Sequence, residues 1–69
     1  MNVKELINTL EKNLKELKEK QFEQQKRVTK ELLLNSSKLD YELGILKEYN
    51  KLIENTYYSL CNLKNLCDL

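Results

Sequence analysis

Leu32, Leu39, Leu46, Ile53, Leu60 and Cys67 stand seven residues apart. Apolar side chains recurring at that interval return to one face of an α-helix every two turns, which predicts a long helix packed along a single seam. Nothing in the chain opposes long helices: it has no proline, and its only glycine is Gly44. A composition rich in Lys, Glu and Leu, with 33% of residues charged, is that of coiled coils. At 69 residues the sequence provides for one domain, near the lower limit for a self-sufficient core.

A first helix is predicted over about residues 2–34. Val3, Ile7, Leu10, Leu14 and Leu17 alternate in steps of four and three, the pattern of a heptad seam. Asn2 followed by Glu5 can cap its start, the Asn oxygen and the Glu carboxylate each meeting an unpaired backbone N–H. Glu11 and Lys15, Glu16 and Lys20, and Glu23 and Arg27 are spaced as favourable pairs on the outer face. Gln21 and Gln24 then occupy two positions where apolar residues are expected, before Val28 and Leu32 resume the seam. This stretch reads as a wet, weak layer or, in a three-helix alternative, as a loop near Gln21–Gln25.

Asn35-Ser36-Ser37 is the only cluster of turn-forming residues. Ser37 with Asp40 reads as a capping box opening a second helix over about residues 38–67. The two helices would be roughly 50 and 45 Å long. The sequence therefore predicts an all-α, coiled-coil-like antiparallel helical hairpin within a single helical domain, in preference to one unbroken helix.

The second helix has more apolar surface than the first can cover. Its apolar residues spread over an arc of about 200°, against about 100° for residues 3–28. Beside the heptad seam, which Leu43 and Tyr57 join, a second stripe runs through Ile45, Tyr49, Leu52, Leu63 and Leu66. A stripe of that continuity predicts an interface. The hairpin is accordingly expected to complete a helical bundle by dimerisation or with another protein, its second helix innermost. Ile45, Leu46, Tyr49, Leu52, Ile53, Tyr57, Leu63 and Leu66 are the candidate partner-binding residues. Asn50, in the same arc, is a candidate for fixing register through a buried polar partner, or for a wet gap beside Gln21 or Gln24.

Chemistry is hard to place on this chain. It contains no histidine, and two cysteines alone make a structural zinc site improbable, so no metal and no cofactor are expected. No glycine-rich loop exists to hold a phosphate, which argues against a nucleotide or other small-molecule substrate. Lysines interleave with glutamates, and the net charge is +1, so neither nucleic acid nor an anionic membrane is expected as a partner. The two halves barely differ, at +2 for residues 1–34 and −1 for residues 35–69. Glutamates are expected on outer, solvated faces. Tyr41, Tyr49, Tyr57 and Tyr58 are expected to fill core and interface rather than stack bases. Cys61 and Cys67 would lie about 240° and about 9 Å apart on a helix, too far to pair with each other. They read as reduced, half-buried residues of a cytoplasmic protein. Neither a signal peptide nor a membrane span is expected.

Ser36-Ser37-Lys38-Leu39-Asp40 resembles the Ser-Gln-x-Leu-Asp signature of the small aspartyl-phosphate phosphatases that restrain sporulation in bacilli. Those proteins are helical hairpins that act on a response regulator, with the signature inside the second helix. The resemblance implies Ser36 and Asp40 as candidate catalytic residues, with Asp40 polarising the attacking water. Ser37 stands where the family has Gln, and Tyr41-Glu42-Leu43 replaces the Leu-Ile pair that follows the Asp. The residues themselves favour a non-enzymatic interaction module: an adaptor, a chaperone-like subunit or a regulator or inhibitor. Its partner would be another protein or a second copy.

Overall fold

Two helices joined by one turn make up the computed structural model, which describes residues 2–67 and the side chains of residues 2–66. Helix α1 spans Val3–Leu33 and α2 spans Leu39–Cys67. They fold back on each other as a hairpin measuring 52 × 16 × 14 Å.

The helix ends are set by local hydrogen bonding. Asn2 caps α1, its Oδ1 accepting from the Glu5 N–H at 2.8 Å. At the other end, the Asn35 N–H donates to Leu32 O at 3.2 Å and the Ser36 N–H to Glu31 O at 3.0 Å. These are the two bonds of a Schellman motif, which requires a left-handed residue just beyond the helix. Asn35 supplies it at φ 51°, a conformation that asparagine tolerates better than other side-chain-bearing residues. The hydroxyl of Ser36, not that of Ser37, then accepts the Lys38 N–H at 3.1 Å. The anticipated Ser37–Asp40 capping box is thereby corrected, because the Schellman turn brings Ser36 into reach of the first free N–H. Asp40 and Glu42 fall in the first turn of α2, where carboxylates complement the helix dipole.

Helix α1 is unbroken through Gln21–Gln25, so the loop alternative is overturned. Its most enclosed residue is Gln24, only 4% exposed. Gln24 Nε2 donates to Glu42 O at 2.9 Å and also to the Glu42 carboxylate. A buried amide with both partners supplied is a satisfied group, and the expected wet gap is a closed polar layer at this point. Gln21, half-buried, donates to Asn50 Oδ1. Asn50 is exposed at the hairpin's edge, where it completes a polar gap beside Gln21 rather than acting as a buried register residue.

The half-buried and buried residues of α1 include Ile7, Leu10, Leu14, Leu17, Gln21, Gln24, Val28 and Glu31, a continuous alternation of three and four. Those of α2 follow the same rule through Leu39, Glu42, Leu46, Tyr49, Ile53, Thr56, Leu60 and Leu63. Polar residues hold several of these places. Thr56 fits there because its hydroxyl donates to Leu52 O at 2.8 Å. Glu42 and Glu31 are half-buried, contrary to the expectation that every glutamate faces solvent.

Candidate interaction surface

The seam just described redraws the division of the apolar arc on α2. The seven-residue series through Leu39, Leu46, Ile53 and Leu60 faces α1 as expected, Leu60 being 4% exposed. Its companions are Glu42, Tyr49, Thr56 and Leu63, not Leu43 and Tyr57, which are exposed. The reason is geometric. Residues 43 and 57 and residues 42 and 56 lie on opposite flanks of the same series, and α1 can cover one flank only. Leu32 is exposed too, because the α1 seam steps from Val28 to Glu31.

Of the eight candidate partner-binding residues, Ile45, Leu46, Tyr49, Ile53 and Leu63 are half-buried within the hairpin. Leu52, Tyr57 and Leu66 are exposed, Leu52 by 47% and Leu66 by 60%. Helical positions place the three on two different broad sides. One side carries Tyr57 and is fixed by contacts across the hairpin, the Gln21–Asn50 hydrogen bond and the Lys64–Glu11 ion pair at 3.3 Å. An open groove here is lined by Leu14, Phe22, Tyr57 and Cys61 but rimmed by Glu11, Lys15, Lys18 and Lys64. Lys26 stands 4.5 Å from the centre of the Phe22 ring and also pairs with Glu23 at 3.6 Å. Neither Glu11 nor Glu23 takes the four-apart partner its spacing suggested; the alternatives lie within reach of the same flexible side chains.

The opposite broad side carries Leu52 and Leu66. Along it Ile45, Tyr49, Leu52, Thr56, Ser59, Leu63 and Leu66 alternate in steps of four and three without a charged residue. At 1.5 Å per residue this uncharged strip is about 32 Å long. It has little chemistry beyond dispersion and burial. Among the described residues no buried side-chain polar atom lacks a hydrogen-bond partner, and no cluster of His, Cys, Asp or Glu could hold a metal ion.

A further apolar cluster escaped the sequence reading. Leu33 and Leu34 are exposed beside the turn, with Leu32 and Tyr41. The signal was present in the run Leu32-Leu33-Leu34, since three consecutive helical residues cannot share one seam. Cys61 is exposed rather than half-buried, because its position falls on the Tyr57 flank; the side chain of Cys67 lies outside the described residues.

Ser36 and Asp40, the positions the phosphatase resemblance would use, lie at the turn. Ser36 is engaged with the Lys38 N–H, and exposed Asp40 occupies the first turn of α2. The five-residue string spans the start of α2 instead of lying inside it, as the resemblance would require. No described helix is long and apolar enough to cross a membrane. No family model matches this chain, and neither a curated protein nor a solved structure does.

Proposed function

We propose that this hairpin is a protein–protein interaction module that works by helix packing, with the uncharged strip of α2 as its contact. The observation that carries the reading is the exposure of Leu52 and Leu66 on a strip free of charge. Side chains of that kind contribute to association when a partner excludes water from them, and a fully buried leucine contributes about 1.5–3 kcal/mol. Helix α1 then serves as a brace. It holds α2 helical and presents its uncovered flank, so that the module acts as an adaptor or regulator without chemistry of its own.

The test compares tagged wild-type protein with Leu52→Asp/Leu66→Asp, both purified under native conditions from the host cell. The wild type is expected to retain a stoichiometric protein, either a different chain or an untagged copy of itself. The double variant is expected to lose it while keeping its helical circular dichroism. Equal retention by both proteins would refute the assignment of this strip.

A further inference from the structure

We infer that the occupant of the α2 strip is a second copy of this chain, packed about a two-fold axis into an antiparallel four-helix bundle. The inference rests on the interaction reading above and names its partner.

Surface area is the first argument. A compact folded protein of 8.3 kDa exposes about 4,600 Å² by the usual scaling with mass, whereas this chain exposes 5695 Å². The excess of about 1,100 Å² is of the size that one partner buries in a stable dimer, about 800 Å². The interior makes the same point. Only Leu60 and Gln24 are buried among the described residues, and one of those two is polar. A second hairpin would turn the half-buried leucines of both copies into a shared core.

Charge and symmetry favour a copy over a different chain. A net charge of +1 gives two copies almost no mutual repulsion. The uncharged strip can face its own image without placing like charges together, which a two-fold contact requires. The Tyr57 side offers no comparable uncharged strip, because Glu11, Lys15, Lys18 and Lys64 rim its groove. An axis crossing the hairpin at mid-length runs the two α2 helices antiparallel. Ile53 is the middle of α2, so Leu52 then lies beside the partner's Leu52, and Ile45 approaches the partner's Leu63. The uncharged strip is self-complementary about that one axis.

Light scattering after gel filtration tests this on the isolated full chain between about 10 and 200 µM. The mass should be twice 8.3 kDa, and the melting temperature should rise with concentration, as it does only when folding is linked to association. Leu52→Asp should weaken the dimer about 100-fold. Tyr57→Asp, on the other broad side, should leave it intact. A mass of 8.3 kDa throughout, with a concentration-independent melt, would overturn the second copy. In that case, capture of a different protein that is lost on Leu52→Asp/Leu66→Asp would leave the interaction reading standing. A dimer that resists Leu52→Asp and dissociates with Tyr57→Asp would overturn the assigned side.

Discussion

The contact between Gln24 and Glu42 offers the sharpest quantitative test of the hairpin itself. Gln24 Nε2 donates to Glu42 twice, to the main-chain carbonyl and to the carboxylate, from a position that is nearly closed to water. Gln24→Ala removes both bonds and the packing of two methylenes. The bond to the carboxylate is worth about 1.5–2 kcal/mol and the bond to the carbonyl about 1. The lost methylenes add about 1–1.5 kcal/mol, offset by roughly 0.4 from the better helix propensity of alanine. The expected loss is about 3–4 kcal/mol.

Glu42→Ala removes only the carboxylate bond and part of a half-buried stem, for an expected loss of about 2 kcal/mol. The carboxylate bond is counted in both single variants, so the double variant should be less destabilised than their sum by about 1.5 kcal/mol. Urea denaturation followed by far-ultraviolet circular dichroism, at one fixed protein concentration, measures all four corners of the cycle. Additivity to within about 0.5 kcal/mol would show that this bond does not hold the helices in register, and would refute the role assigned to Gln24.

Other predictions concern the turn and the helix surface. Asn35→Gly should stabilise the protein by about 0.5–1 kcal/mol in thermal melts and Asn35→Val should destabilise it, because φ is 51° at that residue. Ser36→Ala should cost about 0.5–1 kcal/mol and Ser37→Ala almost nothing, since only the Ser36 hydroxyl accepts the Lys38 N–H; equal effects would return the cap to Ser37. Gly44→Ala should stabilise by about 0.5–1 kcal/mol, because a Cβ there meets nothing within 4 Å; a loss instead would reveal a close approach at Gly44 in the assembled protein.

The architecture was legible because it depends on period and punctuation. The heptad steps of Ile7 to Leu17 and the series from Leu39 to Leu60 both lie where the hairpin needs them, whereas Val3, expected in the same seam, is exposed; Asn35-Ser36-Ser37 marks the turn. The flank was less legible. Choosing Leu43 and Tyr57 over Glu42 and Thr56 follows from ranking positions by hydrophobicity, and that ranking gives no weight to what a neighbour can satisfy. Gln24 makes a half-buried Glu42 tolerable, and a back-bonded hydroxyl does the same for Thr56. Information of that kind resides in pairs of residues that are distant in sequence, so periodicity along one helix cannot carry it. Ser36 displaced Ser37 as the cap for a related reason: the Schellman bonds from Asn35 and Ser36 decide which hydroxyl reaches the free N–H.

The polar residues in the seam explain why the apolar surplus lies elsewhere. Gln21, Gln24, Glu31, Glu42 and Thr56 take positions that leucines would fill in a self-sufficient coiled coil. Sliding one helix against the other by a heptad would leave Gln24 without Glu42, and an orphaned buried amide costs about 1–3 kcal/mol. The seam therefore specifies one register while contributing little burial. The apolar side chains that would have supplied that burial stand on the flank, at Leu52 and Leu66, where a partner can reach them. If the strip is the contact proposed above, the specificity of the hairpin and the stability of its assembly fall to different sets of residues. Gln24→Leu/Glu42→Leu should accordingly strengthen the hairpin alone and lessen its dependence on association, with a melting temperature that varies less with protein concentration than that of the wild type. An undiminished concentration dependence would break the proposed link between a polar seam and an apolar flank.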